Sequence, residues 1–476
     1  MAPGPDPVVV AARAALAGTP TTYDRSGGAT ASAPPEATLA LRDLFAARGR
    51  LGADDARLAA RILARPTDGG ADPYGDGFSS PSFTRCSAHF CLHWVRRGAD
   101  APATDAWPAT TLAVLERVWR HHVDKLGYRA PVPDGARGGN AKFDVYLKDV
   151  GSRGLYGYCA PEGTVPGQPK RAGGFCVLDD DFARGQFGRK PGDSLQVTAA
   201  HEFLHALQFA YDVTEDGWLY ESTATWVEER FADQVDDNRS YLPAGQLGRP
   251  RVPLDLFETD GFAHYGNWAF WEFLSRRYGT SIVRSVWNRA GTGGSLPDDY
   301  STQALVKVLA SRGGLPNVYA SFAAGNTVPS RTYAEGRAYP VAPATERRLT
   351  SARRSTQLAT RLDHLTSRAL RLRPDASLAR GSRVTVVVDA PDRVRAPAAR
   401  LVARLVDGTV RQRSIPLSST GSGRIDVSFD AATTSVTVVL VNASTRYRCD
   451  EGTTLACAGR PFDDGQKFVV RASVTR

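Results

Sequence analysis

The sequence predicts an α+β protein in which a mixed sheet with several helices is followed by a separate C-terminal β-sandwich. Three observations lead there. The chain has 476 residues, and at roughly 150 residues per domain it holds two or three units. Strand-like runs come first and helical runs later over the middle of the chain, which is the α+β order rather than that of a parallel doubly wound sheet. Beyond about residue 347 the pattern changes to short Val- and Thr-rich runs separated by Gly, Asp and Pro turns, the spacing of a sandwich of ~100–120 residues.

Taken in order, residues 1–35 are rich in Ala, Gly, Pro and Thr and read as a poorly ordered leader. The apolar run Pro7 to Leu16 is broken by Arg13 and has no basic region before it, so it does not read as a signal peptide. Residues 36–66 hold two short helices, 37–48 and 53–64. Leu41, Leu44 and Phe45 form the apolar stripe of the first and Leu58 and Ile62 that of the second. They form either a pro-segment over a cleft or a permanent N-terminal cap. A Gly/Asp/Pro/Ser linker covers 67–82. The main domain is expected over 83–345, with strands at 89–95, 143–147, 155–159 and 174–178 and helices at 107–126, 194–212, 218–233, 265–278 and 301–311. An arginine-rich linker from 347 leads to the sandwich, 370–476, with strands at 382–388, 399–406, 425–429, 435–441 and 467–474.

The bulk properties exclude several classes. The net charge is +9, but the arginines are scattered and no basic stripe or binding motif supports nucleic acid as a partner. No run approaches the ~20 apolar residues of a transmembrane segment. Six cysteines fall in three close couples, Cys86 with Cys91, Cys159 with Cys176 and Cys449 with Cys457. Such couples suggest disulfides, an oxidising compartment and a secreted protein.

The chemistry is concentrated in His201-Glu202-Phe203-Leu204-His205. Residues i and i+4 share one helical face, so His201 and His205 can grip one zinc ion. Glu202, beside the first histidine, is then the general base for a zinc-activated water. A third ligand is expected from Trp218-Leu219-Tyr220-Glu221-Ser222-Thr223-Ala224, where Glu221 near the start of a second helix completes a His2Glu set with one open position. Glu228, two turns on, is an alternative ligand or a group that orients a histidine.

These two segments resemble the gluzincin metallopeptidases, strongly over 195–232 and loosely over 83–340. The resemblance implies a zincin-like domain, zinc on His201, His205 and Glu221, and Glu202 as base. It also implies an oxyanion-stabilising tyrosine before a glycine and a helix. Tyr265, in His264-Tyr265-Gly266-Asn267, is the first choice and His264 the second. This sequence departs from thermolysin-like members at Thr225, where they carry an aspartate that holds a histidine. A metzincin is disfavoured because its Gly and His positions are Gln208 and Tyr211 here.

The leading expectation is a secreted zinc metalloendopeptidase acting on protein or peptide substrates. The alternatives are an aminopeptidase on the same site and a non-enzymatic surface-binding protein with structural zinc. The strand Gly173 to Leu178 is expected as the exposed sheet edge to which a peptide adds. Asp179-Asp180-Asp181 could bind calcium, but capping of a turn is the favoured reading. His89 and His93 read as packed residues, and His121 and His122 as surface residues. The sandwich carries no catalytic motif; adhesion through a cell-surface contact, substrate positioning and stabilisation are its candidate roles.

Overall fold

The computed structural model describes residues 4–18, 36–68, 77–292 and 299–475, which form two compact units. The first comprises Met1–Asn238, Thr259–Gly261 and Val283–Asp299, and the second Arg239–Glu258, Phe262–Ile282 and Tyr300–Arg476. The α+β class and the β-rich C-terminal region are as expected. The boundary differs: the helices within 263–278 and 301–332 group with the C-terminal strands, while Val283–Asp299 groups with the histidine motif.

In the first unit, a five-stranded mixed sheet runs in the order Phe83–Cys86, Phe90–Trp94, Phe143–Lys148, Gln168–Asp179, Gly157–Val165. The central pairings are parallel and the two outer ones antiparallel. Side chains alternate across a strand, so each face needs its own cover. One face carries the helix Pro191–Phe209, against which Phe90, Phe143 and Trp119 pack through Phe203, with ring centroids 5.0, 5.6 and 5.7 Å apart. The other face presents Tyr146, Leu155, Tyr158, Ala160, Phe175 and Val177. It is covered by the helices Pro7–Ala17, Ala37–Ala47 and Ala53–Ile62, through Val9, Ala12, Leu16, Leu41, Leu44 and Ile62.

The expectation of a poorly ordered leader is therefore corrected over Pro7–Ala17: Asp6 accepts a hydrogen bond from the Val8 N–H and starts a helix whose apolar face is buried. Residues 19–35 of that leader and 69–76 of the expected linker lie outside the described residues. The helices within 36–66 behave as a layer of the fold. Arg65, which follows them, is buried in ion pairs with Asp144 (2.6 Å) and Glu162 (2.6 Å) of the sheet.

The expected sheet edge is also corrected. Strand Gln168–Asp179 lies inside the sheet, and Gly157–Val165 takes the edge. The two form a hairpin whose turn places Gly167 at φ +74°, a conformation that glycine adopts without strain. The chain doubles back there, which puts the earlier strand outermost. Cys159 and Cys176 are directly opposed in this hairpin and are bonded, as are Cys86–Cys91 and Cys449–Cys457.

In the second unit, two sheets face each other. One has the order Val410–Ile415, Pro397–Leu405, Thr433–Asn442, Thr366–Pro374, Ala344–Leu349, and the other Ser422–Ser428, Arg383–Asp389, Gln466–Thr475, Ser355–Leu362. Val386, Val388, Leu401, Val436, Val438, Phe468 and Val470 share their common core. The expected arginine-rich linker is thus strand. Along Ser355–Leu362 exposure alternates residue by residue, with Ser355, Gln357, Ala359 and Arg361 facing out, so the polar run that suggested a linker includes the outer face of an edge strand.

Candidate metal centre

The helix Pro191–Phe209 starts with proline in its first turn and has no glycine or proline across 193–209. Its neighbour Gly217–Phe231 crosses it and carries Glu221 and Glu228. One ligand atom each from His201, His205 and Glu221 lies within 4.8 Å of the others. His201 Nε2 is 3.1 Å from Glu221 Oε2, and His205 Nε2 is 3.5 Å from Glu221 Oε1. The imidazoles stand edge to face, 4.7 Å apart. All three residues are buried, and Glu221 is fully so. Glu221 Oε1 accepts no hydrogen bond. A buried carboxylate oxygen without a donor is costly unless a cation meets it. Two imidazole nitrogens and that oxygen are a donor set suited to zinc.

The outer nitrogens are held as well. His201 Nδ1 is 2.6 Å from Glu228 Oε1, and His205 Nδ1 is 2.7 Å from Gln208 Oε1. Gln208 is fixed in turn, because its Nε2 donates to the Tyr220 carbonyl (3.0 Å) and to Thr223 Oγ1 (3.1 Å). Thr223 Oγ1 also receives the Trp287 indole N–H at 3.1 Å. Such partners set the tautomer and direct Nε2 inward. Thr225 donates to the Glu221 carbonyl of its own helix at 2.9 Å and holds no histidine. Glu228 stands against His201 in the orienting role weighed for it.

Glu202 lies on the same helix, outside the ligand set. Its carboxylate accepts from Thr38 Oγ1 at 3.1 Å, and the same hydroxyl receives the Cys159 N–H at 2.9 Å. Burial pushes Glu202 up to about 8, with Glu221 and Glu36 adding to the rise and His201 and Thr38 opposing it. Burial also raises Glu221 to about 7, with Glu36 adding and His201 opposing. Burial disfavours charge on His201, but Glu221 and Glu228 outweigh it and hold that imidazole well above its ordinary range. His205 is pushed well below, by burial and then by His201.

Sequence reasoning missed Thr38, Gln208 and His122. Gln208 was read only as a position that excludes metzincins. Its signal was available: a glutamine three residues after the second histidine shares that histidine's face. His122 is corrected from surface to buried. Its Nε2–H donates to the Ala200 carbonyl, one residue before His201, at 2.9 Å. Burial pushes it down to about 3, so it stays neutral. His93 bonds Asp144 at 2.8 Å and His89 bonds Glu116 at 2.8 Å, both as packed residues. Tyr265 and His264 sit on the short helix Ala263–Gly266 of the second unit. There Tyr265 stacks on Tyr241 at 4.9 Å, and His264 lies against Phe257 at 4.6 Å.

Residues 71–297, which contain both helices of the candidate centre, match the model of a family of unknown function, DUF6055. No curated protein sequence matches the chain. Among solved structures, a periplasmic lysozyme inhibitor of g-type lysozyme, PliG of Aeromonas hydrophila, matches at 12% identity, over 28% of this chain and 97% of that one, with a TM-score of 0.16. CorA, a surface-associated copper-binding protein of Methylomicrobium album BG8, matches at 7% identity, over 28% of this chain and 98% of that one, with the same TM-score of 0.16. Scores this low carry no argument about fold or function. The three disulfides do fit an oxidising compartment. Among the described residues no helix is long and apolar enough to cross a membrane.

Proposed function

We propose that this chain is a secreted zinc metalloendopeptidase. One observation carries the reading: the ligand atoms of His201, His205 and Glu221 converge within 4.8 Å while the Glu202 carboxylate, on the same helix, stays outside the set. A structural zinc site closes its four positions with protein ligands, whereas three ligands with an adjacent free carboxylate suit catalysis.

A zinc ion on this set would supply a Lewis acid that acidifies water and polarises a peptide carbonyl. His201 and His205 would bind through Nε2, with Glu228 and Gln208 fixing their rings from behind. Glu202 would accept a proton from the attacking water and deliver it to the leaving amine, the role of a general base turned acid. A carboxyl pushed up to about 8 by burial, as Glu202 is without metal, holds a proton near neutral pH. The charge of a bound cation lowers it again, towards the range in which it can work as a base.

The test is cleavage of casein by zinc-loaded wild type and Glu202→Gln. The variant should retain zinc and lose about 10²–10⁴-fold in kcat/KM, the usual worth of a general acid–base group. Equal cleavage by the two proteins would remove Glu202 from the role. Zinc binding with no turnover in wild type would leave the structural-zinc reading.

A further inference from the structure

We propose a second cation site in the first unit, a calcium site built from Asp149, Asp179, Asp180 and the amide oxygen of Gln186. One carboxylate oxygen from each aspartate lies within 4.8 Å of the others. Oxygens around a calcium ion sit at 2.3–2.6 Å from it, so ligands on opposite sides are about 5 Å apart, and these three fit one coordination shell.

The turn-capping expected for Asp179-Asp180-Asp181 accounts for two of the three residues. Asp179 Oδ1 accepts the Gly151 N–H at 2.6 Å, and its Oδ2 accepts those of Phe182 at 2.7 Å and Asp181 at 3.4 Å. Asp181 Oδ1 accepts the Ala183 N–H at 2.7 Å. Asp180 caps nothing. It is 4% exposed, and beyond its own backbone N–H no donor reaches its carboxylate. Among the described residues no Lys, Arg or His pairs with Asp149, Asp179 or Asp180, and the nearby Lys148 is paired with Asp100 at 3.2 Å. A carboxylate buried without a donor, beside two others, is destabilising unless a cation compensates.

Gln186 adds an independent sign. Its Nε2 donates to Asp149 Oδ1 at 3.1 Å, which turns Oε1 the other way. That Oε1 is buried and accepts nothing. A Cβ built on Gly151 would stand 2.7 Å from Asp179 Oδ1 and 2.8 Å from both Gln186 Oε1 and Phe187 Cζ, so the two oxygens approach the same glycine at the edge of the Phe187 ring. Three carboxylates and an amide oxygen, with no nitrogen or sulfur ligand, select a hard cation, and irregular oxygen-rich sets favour calcium over magnesium. In the absence of a cation, burial and then Asp179, Asp181 and Asp149 push Asp180 up to about 8.

The site would join the ends of two parallel strands, Phe143–Lys148 and Gln168–Asp179, to the helical turn Arg184–Phe187 that leads into the histidine helix. Calcium would thus pin the segment from which the zinc ligands project. The proposal does not rest on the peptidase reading, and its test needs no zinc.

The full chain, stripped of metal, is titrated calorimetrically with CaCl2 and melted with and without ~1 mM CaCl2 or MgCl2, a concentration suited to extracellular calcium modules. Wild type should bind one calcium per chain and melt several degrees higher with calcium, with a smaller response to magnesium. Asp180→Asn should melt higher than wild type without metal, because repulsion is relieved, and should lose the calcium response. Gln186→Ala, which keeps all three carboxylates, should bind calcium several-fold more weakly. His205→Ala should keep the full response. The proposal is overturned by absence of calcium binding to wild type, by an equal response to magnesium, or by an Asp180→Asn or Gln186→Ala protein that responds like wild type.

Discussion

Each unit buries a histidine among carboxylates, and the two arrangements differ in how completely they are satisfied. In the second unit, His364 is 1% exposed and bonded at both nitrogens, to Asp255 Oδ1 at 3.0 Å and Asp464 Oδ1 at 2.7 Å. Asp255 Oδ2 then accepts the Tyr447 hydroxyl at 2.7 Å and the Ala456 N–H at 3.1 Å. That network closes on itself. In the first unit, two imidazoles turn toward one carboxylate, and Glu221 Oε1 still accepts no hydrogen bond. A closed network of charge and hydrogen bonds stabilises a fold, whereas a converging set with an unmet acceptor is suited to receive a cation.

The contrast can be broken by removing one carboxylate from the closed network. Asp255→Ala leaves His364 with Asp464 alone and removes the carboxylate that meets the Tyr447 hydroxyl and the Ala456 N–H. It should cost about 3–5 kcal/mol in urea unfolding of the second unit, the usual result of breaking a buried ion pair. Zinc should not restore the loss. Recovery on adding zinc, or a cost below about 1 kcal/mol, would show that the network does not hold the unit together.

A smaller effect should follow from removing an outer partner in the open set. Glu228→Ala removes the carboxylate 2.6 Å from His201 Nδ1 and should weaken zinc binding about 10–100-fold, as loss of a group that orients a metal-binding histidine does. Competition with a chromophoric chelator measures this directly. An unchanged affinity would assign Glu228 to packing alone.

A third effect, of the same order as the first but spread over several pH units, sharpens the comparison through pH. Asp255 and Asp464 outweigh burial and raise His364 from 6.5 to about 10. A group raised on folding stabilises fully below its unfolded value, so this contribution is complete below pH 6.5 and drains away as pH rises toward 10. Stability of the second unit should fall gradually over that window, and the slope should flatten in Asp255→Ala. A slope identical in both proteins would detach it from His364.

Much of the first unit was legible because its signals are local. A histidine pair at i and i+4, followed by a second helix bearing a glutamate, is a statement about helical faces, and cysteines close in sequence pair with little loop to close. The strands of the C-terminal unit followed from alternation, except where Arg and Thr on an edge strand at 355–362 resembled a linker. Pro7–Ala17 was missed because a helix rich in alanine and valine acquires its stability from the sheet face beneath it rather than from propensity alone.

The sequence by itself determined the two histidines, the neighbouring glutamate, the disulfide couples and the α+β order, because each depends on spacing along a single element or its nearest neighbour. Tertiary structure alone decided that Glu228 and Gln208 hold the imidazoles, that Thr38 reaches Glu202 across 164 residues, and that Asp149 meets both Asp180 and Gln186. Those relations depend on which faces of separate elements are pressed together. Packing of apolar surface sets that choice for the whole unit at once, and no local pattern encodes it.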